Sequence, residues 1–199
     1  MSSLVVLLSL TVNLFAQKTY TNTQFEFAID KPIGWIELSG TELQAGFENL
    51  NLQDESLSNM IANHKGPILL TAYSKYDPAS HISELIPKIQ VSVIASGASS
   101  FDQFTNEITA GANSFKNHFE DFAFTSPVET VEISGVKSVH FSITFTLPTK
   151  EGNSWKVLSS TYAIPRGKFF FQVSLTDGQE MQDNAELFEK LVSSIVVGK

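Results

Sequence analysis

The amino-acid sequence predicts an α+β fold in which an antiparallel sheet is sandwiched between helices. Four strand-like segments in the second half of the chain are joined by turns of two to four residues, and strands joined so closely must be antiparallel. The segment 168–176 carries Phe169, Phe170 and Phe171 in succession, which makes this strand apolar on both faces near its start. Helices are therefore expected to cover both sides of the sheet, giving an α/β/α sandwich.

Composition narrows the possible functions. The chain has 199 residues, 13 basic against 21 acidic side chains, and a formal net charge of -8. Only one basic residue is an arginine, Arg166, so we expect no nucleic-acid partner, because phosphate backbones require basic surfaces. The absence of cysteine excludes thiol catalysis, disulfides and Cys-type metal sites. Neither repeats nor linkers divide the chain, which predicts a single domain over residues 18–199.

The first 17 residues are predicted to be a signal peptide. Residues 4–16 are apolar but too few to cross a bilayer comfortably, and the small residue Ala16 suits a signal peptidase. No cysteine follows the apolar run, so a lipoprotein anchor is excluded. We expect a secreted or periplasmic protein whose mature form begins at Lys18 and has no membrane span.

The first half of the domain alternates strands with turns. Residues 25–30 alternate apolar and polar side chains, and Pro32 with Gly34 stops this strand before Trp35 begins a short second one. The pattern then predicts a helix over residues 57–64 and strands over 68–76 and 88–95.

The clearest helix follows the strand over 88–95. Ser100 and Gln103 fit a capping box, in which each side chain satisfies a backbone donor at the helix start. Apolar side chains then recur every three or four residues, which predicts one aromatic stripe facing the core. This stripe consists of Phe101, Phe104, Ile108, Ala112, Phe115, Phe119 and Phe122.

The second half of the domain predicts a four-stranded meander followed by a helix. The strands cover residues 126–133, 136–147, 155–164 and 168–176, with hairpin turns at Ser134-Gly135 and Pro165-Arg166-Gly167. The closing helix is expected from about Glu180, with Asp177 and Glu180 as its cap pair. Its apolar side consists of Met181, Phe188, Leu191, Val192 and Ile195.

Several local motifs, in this order, resemble the PsbP-like superfamily. Residues 25–35 (FEFAIDKPIGW) are similar to its F-x-I-x-x-P-x-G-W opening. Further similarity lies in residues 87–92, 133–137, 162–171 and 187–195, so it extends over most of residues 20–197. The superfamily includes the extrinsic subunit of photosystem II, a nuclear release factor for the Ran GTPase and bacterial exported proteins. The resemblance implies a protein-binding scaffold with no shared active site.

Motifs for catalysis are absent from the sequence. There is no G-x-S-x-G, H-E-x-x-H, P-loop or EF-hand pattern, and we expect neither enzymatic activity nor a cofactor. Ser134 and Lys137 match S-x-x-K, but Gly135 between them indicates a hairpin turn and not the helical turn that this motif requires. The four histidines, His64, His81, His118 and His140, lack the spacing of metal ligands.

One polar row is the candidate ligand or partner face. His140, Ser142, Thr144 and Thr146 alternate along one predicted strand and therefore share one face. A half-exposed sheet face accounts for the same row without a ligand.

An acidic run near the C-terminus allows two interpretations. Acidic residues recur every third position at Asp177, Glu180, Asp183, Glu186 and Glu189. Clustered carboxylates bind calcium, whereas acids in a first helical turn offset the helix dipole. The second interpretation is favoured because a three-residue repeat drifts around a helix and does not converge.

The sequence therefore predicts an exported, non-catalytic PsbP-like domain that binds an unidentified protein or assembles in the cell envelope. The alternative is a small molecule, lipid or peptide bound in a pocket between the sheet and a helix. A pocket of a few hundred Å³ beside His140, lined by Phe, would favour the ligand. A flat exposed apolar patch would favour a protein partner.

Overall fold

The computed structural model describes residues 18–38, 67–80, 85–119, 121–149, 152–179 and 184–198. The predicted signal peptide and the helix predicted over residues 57–64 lie outside the described residues. Within them, the strands are β1 (Thr19–Asn22), β2 (Phe27–Asp30), β3 (Ile36–Glu37), β4 (Ile68–Ser74), β5 (Lys88–Ala95), β6 (Ala123–Ile133), β7 (Val136–Pro148), β8 (Ser154–Arg166), β9 (Phe169–Gly178) and β10 (Val196–Val197). The helices are α1 (Phe101–Ser114) and α2 (Ala185–Ser193).

Two antiparallel sheets organise these strands. The larger has the order β3-β4-β5-β9-β8-β7-β6, so the predicted meander of the last four long strands is confirmed. β5 has the predicted bounds and pairs with β9 from Lys88–Thr176 to Ala95–Phe169. The smaller sheet has the order β1-β2-β10, and it brings the beginning and the end of the described chain together.

The two hairpin turns follow from backbone chemistry. Ser134 and Gly135 both have positive φ, 53° and 74°, which is the conformation of the tight turn that matches the twist of a hairpin. The second turn was predicted at Pro165-Arg166-Gly167, but Arg166 pairs with Phe169 and still belongs to β8. Gly167, with φ 64°, therefore forms a two-residue turn with Lys168, because it accepts the left-handed backbone at no steric cost.

β9 is buried on both faces near its start, as its sequence predicts. Phe171 lies in the α2 core, which we define as the apolar cluster formed by β2, β5, β9 and α2. Phe170 lies in the α1 core, the cluster formed by α1 with β7, β8 and β9 on the opposite face. The rings of Phe27 and Phe171 are 4.7 Å apart in the first cluster, and those of Phe104 and Phe170 are 5.4 Å apart in the second.

The layers that cover the large sheet are less helical than the predicted α/β/α sandwich. α1 supplies Phe104, Ile108 and Ala112 to one core, and α2 supplies Phe188 and Leu191 to the other. The small β1-β2-β10 sheet shares the second face with α2. The described residues therefore form a mainly antiparallel β structure with two helices.

The aromatic stripe of α1 is longer than the helix itself. The helix was predicted to extend to Phe122, but it ends at Ser114 and continues as one 3-10 turn over Phe115–Asn117. The Ser114 hydroxyl donates to the Gly111 carbonyl at 2.6 Å, which competes with the backbone ladder at the helix end. Phe119 nevertheless packs on Phe145, with ring centroids 4.6 Å apart, so the whole stripe reaches the predicted core.

The start of the closing helix also differs from the prediction. Asp177 was expected to cap this helix together with Glu180, which lies outside the described residues. Asp177 instead belongs to β9, and the described helix begins at Ala185 with Asn184 as its N-cap residue. Asp177 accepts a hydrogen bond from Asn184 Nδ2 at 2.6 Å, so it anchors the residue before the helix.

Replacing either adjacent phenylalanine of β9 tests the two cores. We expect Phe170→Ala and Phe171→Ala each to lower the free energy of unfolding by about 3–5 kcal/mol, because both side chains are buried. Urea denaturation monitored by circular dichroism measures the effect, and Lys168→Ala in the exposed turn is the control. A near-neutral result for one of the two phenylalanines would show that its face of the sheet is not a packed core.

Candidate functional site

A cleft of about 570 Å³ lies between the large sheet and α2. Its wall on the sheet consists of side chains from β6, β7 and β8, and its opposite side consists of Ala185, Phe188 and Glu189 of α2. Leu158, Leu175 and Phe188 supply apolar surface. The cleft thus forms where α2 no longer covers the sheet and the sheet residues become polar.

His140 contacts four neighbouring side chains at this cleft. Its Nδ1 atom is 2.9 Å from Glu129 Oε1, and its Nε2 atom is 3.1 Å from Ser160 Oγ and 3.4 Å from Ser142 Oγ. A carboxylate only accepts hydrogen bonds, so Nδ1 carries a proton and donates it to Glu129. The ring also stacks on Tyr162 at 4.4 Å between centroids. With a side chain only 13% exposed, His140 is held in one orientation.

Strand register brings these side chains together. His140 of β7 pairs with Tyr162 of β8 on one side and with Glu129 of β6 on the other. Two residues along, Ser142 pairs with Ser160. Residues two apart on a strand share a face, and directly opposed residues share it too, so the row extends across three strands.

The structure separates the four predicted site residues into two groups. His140, Ser142 and Thr144 border the cleft, whereas Thr146 does not. The Thr146 backbone N–H donates to Asp121 Oδ1 at 2.9 Å, and its hydroxyl donates to Oδ2 of the same side chain. The pKa of Asp121 is lowered, mainly because the Thr146 hydroxyl donates a hydrogen bond to its carboxylate. Thr146 is thus engaged beyond the end of the cleft.

Sequence reasoning did not identify Glu129 and Ser160 as part of the site. Both reach His140 only across the strand ladder, and the β6 register is shifted between Ser126 and Glu129 by an irregularity. Nothing in the sequence next to positions 129 and 160 indicates that the carboxylate and the hydroxyl there belong to a site. The paired spacing of polar residues on neighbouring predicted strands is the only pattern that could have indicated them.

One chain of hydrogen bonds follows the order of a hydrolase triad, from Glu129 through His140 to Ser160. The backbone around Ser160 differs from that of a hydrolase nucleophile. Ser160 lies in the interior strand β8 and is paired on one side with Ser142 and on the other with Leu175. Its peptide groups therefore belong to the sheet ladder and are not available to stabilise an oxyanion. The arrangement suits fixed hydrogen bonding to a bound molecule better than acyl transfer.

Tyr162 lines the cleft, and its hydroxyl is neutral. Burial is the main cause that raises its pKa, and the Glu189 and Glu129 carboxylates raise it further. Its ring packs between His140 and Phe188, whose centroid is 5.6 Å away. The hydroxyl therefore stays protonated at neutral pH and is able to donate.

Comparison with known proteins identifies the fold. No family model and no curated protein sequence matches the chain. Among solved structures, the cyanobacterial PsbP protein CyanoP of Synechocystis sp. PCC 6803 matches 94% of this chain and 96% of its own, with a TM-score of 0.51 and 13% identity. The chain has a PsbP-like fold.

Two further proteins share this PsbP-like fold. The Ran-binding protein Mog1p of Saccharomyces cerevisiae matches 91% of this chain and 95% of its own, with a TM-score of 0.50 and 11% identity. LpqN of Mycobacterium tuberculosis, described as involved in cell envelope biogenesis, matches 94% of this chain and 88% of its own, with a TM-score of 0.51 and 10% identity. Identities this low show the fold alone.

The other candidate residues of the sequence do not join the cleft chemistry. His118 ends the 3-10 turn after α1, while His64 and His81 lie outside the described residues. The Ser134 hydroxyl accepts from the Val197 N–H at 3.3 Å. Lys137 Nζ lies 4.3 Å from the ring centroid of Phe101, so the S-x-x-K pair is divided between two structural contacts.

The acidic run is dispersed in the PsbP-like domain. Asp177 is bonded to Asn184, Glu186 forms an ion pair with Lys190 at 2.8 Å, and Glu189 lines the cleft. Glu180 and Asp183 lie outside the described residues. No three acidic or histidine side chains of the described segments are arranged to hold a metal ion. In the same segments no helix is both long and apolar enough to cross a membrane.

The Asp177–Asn184 contact connects the end of β9 to α2 and borders the cleft. Asp177 is 1% exposed and Asn184 is 2% exposed. We expect Asn184→Ala to lower the free energy of unfolding by about 1–3 kcal/mol, because a buried carboxylate loses a hydrogen-bond donor. Chemical denaturation measures the change. Lys190→Ala, which removes an exposed pair, serves as the control, and an equal effect of both variants would contradict a structural role for the buried contact.

Proposed function

We propose that the chain is a non-catalytic binding domain whose His140 cleft holds a small amphiphilic molecule. The observation that carries this proposal is the mixed lining of the cleft: the sheet wall carries hydroxyls and the His140 imidazole beside Leu158 and Leu175, and this wall faces Phe188 of α2. Ligand sites in proteins are commonly apolar concavities with a few fixed polar groups.

Size and order support a small ligand. A volume of about 570 Å³ lies within the usual range of small-molecule sites. The Glu129 contact fixes the His140 ring before any ligand arrives, so binding does not require that ring to be ordered. Ser142 and Thr144 add hydroxyl groups that are able both to donate and to accept.

A bulky side chain in the polar row should block the cleft. We expect Ser142→Tyr to weaken binding of the neutral fluorescent amphiphile N-phenyl-1-naphthylamine about tenfold or more, because the new ring occupies the ligand volume. Fluorescence titration measures the dissociation constant.

Thr146→Tyr is the matched control for this variant. Thr146 lies on the same strand and in the same row, but outside the cleft, so its replacement should leave binding unchanged. Binding that is equally strong in Ser142→Tyr would place the probe elsewhere and contradict the proposed site.

A second candidate function is binding of a protein partner in the cell envelope by an exported α/β/α domain. The observation that favours it is Ile33, which is 76% exposed in the turn between β2 and β3. Ile33 borders a groove of about 430 Å³ together with Pro32 and the α2 residues Leu187 and Leu191. An exposed apolar residue beside a groove is a typical contact point for another protein.

Export is tested by the mature N-terminus. We expect the full chain expressed in a bacterium to be cleaved after residue 17, so that mass spectrometry of the periplasmic or extracellular fraction finds Lys18 first. Leu8→Arg, which places a charge in the apolar run, should retain the uncleaved chain in the cytoplasm. Uncleaved wild-type protein in the cytoplasm would contradict the signal peptide.

A further inference from the structure

Charge is distributed unevenly around the His140 cleft. Asp177 and Glu189 line it, and Glu129 lies at its border through His140. Among the described residues that line it there is no lysine or arginine. Lys190, on the same helix as Glu189, pairs with Glu186 at 2.8 Å outside the cleft.

We propose that the cleft selects a cationic amphiphile, a molecule with an organic ammonium head and an apolar body, and discriminates against anions. The inference rests on the proposed ligand-binding function and adds the chemical class of the ligand. Glu189 lines the cleft from α2, and Glu129 of β6 lies at its border against His140, so a cation in the cleft is attracted by both.

The field of the two carboxylates converges inside the cleft. Tyr162 lies between the sheet wall and α2, and both Glu129 and Glu189 raise its pKa in addition to the effect of burial. A negative charge placed at the same point is repelled for the same reason. An anionic head would also lose water without finding a basic partner among the described lining residues.

The occupant is an organic cation and not a bare metal ion. Calcium requires several oxygen ligands at about 2.3–2.6 Å from one point. The three acidic residues belong to β6, β9 and α2, and no three such groups in the described segments are arranged to hold a metal. An ammonium group is held over longer distances, while Leu158, Leu175 and Phe188 offer apolar surface for its body.

The test compares three ligands that share one decyl chain and differ in the charge of the head. Decyltrimethylammonium, decyl glucoside and decyl sulfate are titrated into the full domain by isothermal calorimetry below their micelle concentrations. We expect the cation to bind about tenfold or more tightly than the anion, with the neutral ligand between them. The preference should shrink as salt rises from about 20 mM to about 200 mM, since exposed charges are screened.

Two variants test whether the Glu189 carboxylate causes the preference for the cationic ligand. Glu189→Gln should reduce the preference for the cation about twofold to fivefold while leaving decyl glucoside binding unchanged. Glu132→Gln, at an exposed position of β6 outside the cleft, should alter neither. Circular dichroism verifies that both variants are folded.

The outcomes separate the inference from the function on which it rests. Equal binding of all three ligands in the cleft would overturn charge selection and leave the binding function standing. Tighter binding of decyl sulfate would also overturn the inference. No binding of any ligand, and none of the neutral fluorescent amphiphile, would overturn both.

Discussion

The burial of both faces of β9 near its start is the constraint on which the rest of the structure depends. Phe170 and Phe171 are neighbours in the chain, yet they belong to different cores because side chains of a strand alternate between faces. Each face then requires its own cover, which α1 provides on one side and α2 with the small sheet on the other. β9 occupies the centre of the large sheet, where β5 and β8 satisfy its backbone groups from both sides.

The cleft is a consequence of this cover being narrower than the sheet. α2 spans only Ala185–Ser193, and its apolar side chains pack on β9 and its neighbours. The sheet extends further, to β8, β7 and β6, where the side chains facing the same way are His140, Ser142 and Ser160. The space between these polar groups and the edge of α2 is the cleft.

Local sequence patterns predicted the strands and helices of this fold better than they predicted which strands pair with one another. β5 and the Ser134-Gly135 hairpin follow from alternation and turn chemistry, which act within a few residues. β10 was not predicted, because two residues become a strand only when β2 lies beside them. Of the site, His140, Ser142 and Thr144 were visible as a row along one strand. Ser160 and Glu129 were not, since pairing across strands depends on register that no single segment encodes.

The small sheet gives the domain a particular order of assembly. β10 pairs with β2, the Gly198 N–H donates to the Glu26 carbonyl at 2.8 Å, and Asp30 bonds to Ser194, 164 positions along the chain. Contacts this distant in sequence form slowly, because a long loop must close before they contribute. During synthesis β2 is produced long before its partner β10. The α2 core is therefore completed only after the whole domain has been produced.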